Sequence, residues 1–158
     1  MINPQRLPFL AILVWFSLAD VCAAAGVWSA APQQEEAERS TIACADEYTD
    51  DAWVCLVIRY EADGQLKLYV DISGGGEVLD RWTLRVDDSR WFVEGRPNEG
   101  PAPFNTEILG DTAEIVEVLR TGRRMFFDAL PIPLPYQSIR LEGSAREIDR
   151  VEQFCSTS

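Results

Sequence analysis

The chain has 158 residues and carries 14 basic against 26 acidic side chains, a net charge of −12 at neutral pH, with no histidine. That balance excludes nucleic acid as a partner, because gripping a phosphate backbone requires Lys and Arg to replace released counterions. Without imidazole neither a Ser-His-Asp nor a Cys-His pair can form, and no cofactor and no metal site is expected.

The first 25 residues read as an export signal. Arg6 precedes the apolar run Leu7 to Ala19, and Cys22-Ala23-Ala24-Ala25 supplies the small residues a signal peptidase needs. The run is shorter than the roughly 20 apolar residues of a membrane span and is interrupted by Pro8. Cleavage after Ala25 predicts a periplasmic or secreted protein with no stable membrane insertion, and the remaining length suits one domain.

Residues 26–43, with Pro32, two glutamines and mixed charges, show neither helical nor strand period and are expected to form a flexible lead-in, with Trp28 making an incidental contact. Residues 44–158 are expected to form a single β-rich domain. Its first two strands, 52–60 and 66–72, flank Asp63-Gly64, a pair suited to a tight reversal, so they form a hairpin. In the second of these strands Lys67 and Asp71 alternate with apolar residues, which turns them away from the core. Lys67 is the only lysine and reads as a solvated side chain.

The glycines at 74–76 form a turn rather than a phosphate cradle, because neither a helix nor Lys-Ser/Thr follows them. Strands at 82–86 and 90–94 make a second hairpin around Asp87-Asp88-Ser89. Asp80, Asp87, Asp88 and Glu94 do not have the spacing of a calcium loop. Residues 95–103, constrained by Pro97, Pro101 and Pro103, are the longest internal loop, where function concentrates. A partner-binding surface is therefore expected at Asp87, Asp88, Arg96, Asn98 and Glu99, its carboxylates meeting a basic patch on a protein partner.

Two helices are signalled by an N-cap residue three positions before a glutamate, at Asp111 with Glu114 and at Ser144 with Glu147. The first buries Ile115, Val116 and Leu119 and ends at Gly122 in a left-handed conformation. The second places Ile148, Val151 and Cys155 on its core face. Strands at 124–127 and 138–142 lie between them, separated by the extended segment holding Pro131, Pro133 and Pro135.

Cys44, Cys55 and Cys155 remain after processing, so one disulfide and one thiol are expected in an oxidising compartment. Cys55 lies in a dense apolar strand, where a thiol packs as a small apolar group. Cys44 and Cys155 flank the fold, and joining them stabilises it by about 4 to 5 kcal/mol in the loop-entropy model. Cys44 with Cys155 is the expected pair, with Cys44–Cys55 its main rival.

Arg85-x-Asp87, Trp91, Phe104, the helix with Ile115 and Leu119, Gly122-Arg123-Arg124-Met125, Leu141-Glu142-Gly143 and the last helix with Cys155 together resemble two exported families. These are the periplasmic VasI-type proteins associated with type VI secretion and the invasion-associated locus B proteins. The resemblance implies an exported β-rich domain without known catalytic residues that serves an envelope or secretion system.

The expected fold is α+β, mainly an antiparallel sheet or sandwich with two short helices. The expected function is that of a non-enzymatic accessory protein of the bacterial envelope acting by protein binding, its oligomeric state left open. An inhibitor or immunity protein blocking a toxin or enzyme active site is the first alternative, and a small carboxylate-based hydrolase is the second.

Overall fold

The computed structural model describes residues 27–73, 81–128 and 137–155. The expected export signal, Asp80, the glycines at 74–76 and the prolines at 131, 133 and 135 lie outside them. Among the described residues the elements are β1 (Ser29–Ala30), β2 (Ser40–Cys44), β3 (Val54–Tyr60), β4 (Leu66–Ile72), β5 (Trp82–Val86), β6 (Ser89–Pro97), β7 (Thr106–Leu109), α1 (Thr112–Thr121), β8 (Arg124–Asp128), β9 (Ser138–Arg140) and α2 (Ser144–Cys155). The strands form one sheet in the order β1-β2-β3-β4-β7-β6-β5-β8-β9, and every neighbouring pair is antiparallel. The fold is α+β, dominated by a curled antiparallel sheet.

Strand alternation sets the two faces. Leu56 and Ile58 of β3, Leu68 and Val70 of β4, Leu84 and Val86 of β5, and Met125 and Phe127 of β8 are fully buried in one core. Ile115, Val116 and Leu119 of α1 and Ile148 of α2 enter the same core, as the helical spacing predicts. The helices pack on each other, α1 against β4 and α2 against β2 and β3. The sheet curls around them until its ends approach: the Asp46 amide donates to the Ser138 carbonyl at 2.8 Å.

Both hairpins form as read. Gly64 turns the first with φ +85°, and Asp87 turns the second with φ +48°. The pairing between them is not consecutive, because β7, which the sequence did not signal, inserts between β4 and β6. Gly95↔Ile108, Arg96↔Glu107 and Pro97↔Thr106 extend β6 into the stretch expected as loop.

Residues expected as a flexible lead-in are built into the sheet instead. β2 pairs with β3 along its whole length, and β1 pairs with β2. Trp28 is 1% exposed and donates its indole Nε1 to the Arg140 carbonyl at 3.1 Å, so its contact is a closure of the curled sheet. The segment between β1 and β2 is held by two arginines. Arg59 bonds the Glu36 carboxylate twice, at 2.6 and 3.1 Å, and Arg150 donates to the carbonyls of Ala37 and Ser40 at 2.8 and 2.9 Å. Lead-in composition concealed this, since the fasteners lie far away in sequence.

The same pairing corrects the disulfide. Cys44 stands directly opposite Cys55 in the β2–β3 ladder, and these two are bonded, not Cys44 and Cys155. The cysteine expected to pack as a thiol is thus the partner, because β2 brings Cys44 beside it on the outer face.

Two helix ends also differ from expectation. Asp111 caps α1 by accepting the Ala113 amide at 3.2 Å, but Gly122 is extended, with φ −73° and ψ 169°. Glycine is needed there for space: a Cβ would come 2.4 Å from Val86 Cγ1. At α2, Ser144 is buried and donates its hydroxyl to the Leu119 carbonyl at 2.6 Å, which satisfies an end carbonyl of α1 rather than capping α2.

Candidate binding site

The outer face of β3, β4, β7 and β6 is not a plain solvated surface. Val57 and Tyr69 on it are covered by Ala31, Ala102 and Phe104, with the Tyr69 and Phe104 rings 5.8 Å apart. Beside this small apolar cluster lies a cleft of about 430 Å³, floored by the sheet and rimmed by the residues after β6. Register builds its floor: Tyr69 of β4 stands opposite Glu107 of β7, and Glu107 stands opposite Arg96 of β6.

Charges in the cleft are paired. Glu107, 8% exposed, accepts from Arg96 Nε at 3.0 Å and Nη2 at 2.6 Å, while Lys67 Nζ lies 3.7 Å from its other oxygen and 3.4 Å from Asp63. The Tyr69 hydroxyl donates to Glu61 at 2.6 Å, and Glu61 also takes the Arg59 guanidinium. Arg59 is 2% exposed and bridges Glu61 to Glu36, which also accepts from Ser40 Oγ at 2.8 Å.

These contacts set the titration behaviour. Burial, the hydrogen bond to Glu61 and the nearby carboxylates push the Tyr69 phenol above its ordinary value, so it stays protonated at neutral pH and is no base. Burial works against the Glu36 carboxylate, but bonds from Arg59 and Ser40 outweigh it and hold Glu36 below the usual range. For Arg59 burial opposes the charge and the two glutamates overcome it, so the guanidinium is held charged more firmly than usual.

The rim is held in shape by one side chain. Asn98 Nδ2 donates to the carbonyls of Ala102 and Phe104 at 2.7 and 2.8 Å, and its Oδ1 accepts the Gly100 amide at 2.9 Å. The backbone amide of Asn98 donates to the Asn105 carbonyl at 3.0 Å, closing the loop. Arg96 and Glu99 stand exposed at the mouth. The arrangement offers fixed charges and a preshaped edge to an incoming polar surface.

Of the expected partner-binding residues, Arg96, Asn98 and Glu99 come together here. Asp87 and Asp88 do not, for they precede β6 and the rim follows it, roughly 25 Å of strand away. The Asp87 carboxylate accepts the amides of Arg123 and Arg124 at 3.0 and 3.2 Å, tying the hairpin to the segment after α1. Among the described residues no group of three or more His, Cys, Asp or Glu is placed to hold a metal ion.

Sequence reasoning passed over Glu61, Lys67, Tyr69 and Glu107. Strand alternation did place Lys67 away from the core, and it lies in this cleft half-buried rather than solvated. Glu107 carried no signal, because its strand has only four residues.

No protein-family model matches the chain, and no curated protein matches it in sequence. Among solved structures it is similar to the crystal structure of invasion associated protein B from Bartonella henselae, with TM-score 0.53 and 19% identity, over 84% of this chain and 96% of that one. Of the two families that the C-terminal motifs resemble, the likeness supports a fold of the invasion-associated locus B type.

Proposed function

We propose that this chain is an exported, non-enzymatic accessory protein of the bacterial envelope that binds a protein partner at the rim and cleft beside β6. The observation that carries the reading is the loop organised by Asn98, which holds a charged edge in one shape before any partner arrives. Preorganisation of this kind lowers the ordering cost of association. Ion pairing of Glu61, Lys67, Arg96 and Glu107 with neighbouring groups suits recognition better than proton transfer. The fold likeness to an invasion associated protein and the expected export signal favour an envelope setting. Service to a type VI secretion system rests on the motif resemblance to VasI-type proteins alone.

Affinity capture of the tagged protein from its native envelope, followed by titration of the purified pair, tests this. A one-to-one complex is expected, weakened about tenfold or more by Arg96→Glu and by Asn98→Ala. A complex indifferent to both substitutions places the interface elsewhere, and turnover of a substrate by the purified protein defeats the non-enzymatic reading.

A further inference from the structure

We infer that the outer face of β6, β5 and β8 is a second docking surface, distinct from the cleft, that takes an extended acidic segment of a protein. Register defines the face. Arg90 of β6 stands directly opposite Arg85 of β5, and Arg85 stands opposite Phe126 of β8. Two residues further along β6, Phe92 stands opposite Thr83. Their alternating neighbours Leu84, Val86, Val93, Met125 and Phe127 are buried in the core, which puts this set outside. The Arg85 guanidinium carbon lies 4.3 Å from the centre of the Phe126 ring, and Phe92 is 84% exposed. Next to them Arg124 and Arg140 oppose one another across β8 and β9 and share the carboxylate of Asp46. Four arginines and two phenylalanines thus gather on one side of a molecule whose net charge is −12.

Folding accounts for the Arg85–Phe126 stack and for the pair that shares Asp46, but not for Arg90 and Phe92. Like charges directly opposite one another weaken a strand ladder, and a ring left in water adds no burial. Arginine and aromatic side chains are, however, the types that carry energy in protein interfaces. The exposed Arg90 guanidinium, beside the Arg85–Phe126 stack, offers a carboxylate its parallel donors. Arg90 and Phe92 are separated by about 7 Å, the distance between alternate residues of an extended segment. The occupant therefore presents a carboxylate and an apolar side chain at alternate positions. An anionic bilayer would meet the same cations, but the net negative charge of the whole molecule opposes its approach to a charged plane, whereas one segment touches only this face.

The test titrates the purified protein into a fluorescent peptide, Thr-Glu-Thr-Leu-Thr-Glu-Thr, at low and high salt, with a Lys-for-Glu peptide as control. Flotation with phosphatidylglycerol vesicles runs alongside. The expected result is saturable binding of the glutamate peptide only, weakened by salt. Arg90→Glu and Phe92→Ala should each lose about tenfold or more, while Arg146→Ala, on the exposed side of α2, should bind as wild type. Circular dichroism and thermal midpoints establish that the variants are folded, as expected for exposed positions. Absence of saturable binding by the folded wild type, equal binding by either face variant, equal loss in Arg146→Ala, or stronger adhesion to vesicles than to peptide overturns the inference.

Discussion

At the scale of single residues, burial opposes the charge of two carboxylates, and their hydrogen bonds decide opposite outcomes. Glu36 is held below its ordinary value of 4.5, so its ionised form favours the folded state. Its contribution is present above that ordinary value and is lost as pH falls through the folded one. Burial pushes Asp71 above its ordinary value despite the bond from the Asn105 amide. Its neutral form is favoured, so its contribution is present below its ordinary value and disappears as pH rises through the folded one. Glu36→Gln should therefore destabilise the protein at neutral pH by about 3 kcal/mol, since it leaves Arg59 buried with one charged partner fewer. Asp71→Asn keeps an acceptor for Asn105 and should raise the thermal midpoint at neutral pH. Thermal unfolding of both variants between neutral and acid pH checks this, because both differences from wild type should shrink as the medium is acidified.

Elements are joined here by contacts that leave little room. Gly122 separates α1 from β8 under the Val86 and Leu141 side chains, with ordinary φ, so Gly122→Ala introduces overlap rather than backbone strain. A loss of about 1 to 3 kcal/mol is expected from denaturant titration, the usual cost of overpacking. The bridge between β2 and β3 closes a segment with a sequence separation of 11, for which loop entropy gives about 3 kcal/mol. Peptide mapping of the oxidised protein should recover Cys44 linked to Cys55. Cys44→Ser should lower the unfolding midpoint.

For the molecule as a whole, closure of the curled sheet depends on residues distant in sequence. Trp28 fills core space near β9 and donates to Arg140, while Asp46 reaches Ser138, Arg124 and Arg140. Trp28→Ala should cost about 3 to 5 kcal/mol, as large-to-small changes in a core do. Because Trp28 would be the third residue after cleavage at Ala25, trimming the chain to start at Ala31 should reproduce that loss. A trimmed form as stable as the intact one would show that the sheet closes without its first strand.

How much of this was legible in the sequence follows from the distance over which each interaction acts. Strand alternation, the Asp-Gly reversal, the Asp111 cap and the apolar stripe of α1 are local, and each is found where the pattern placed it. The run of prolines at 97, 101 and 103 is also a local signal, and it marks the segment after β6 that rims the cleft together with Arg96, Asn98 and Glu99. Tertiary structure alone decided that β7 sits between β4 and β6, that β2 pairs with β3, and hence that Cys44 meets Cys55. It also decided that Asp87 and Asp88 stand apart from the rim and that Lys67, Tyr69 and Glu107 share a cleft with it. These depend on which strands lie side by side, and strand pairing is set by the burial of the whole core rather than by any short run of residues.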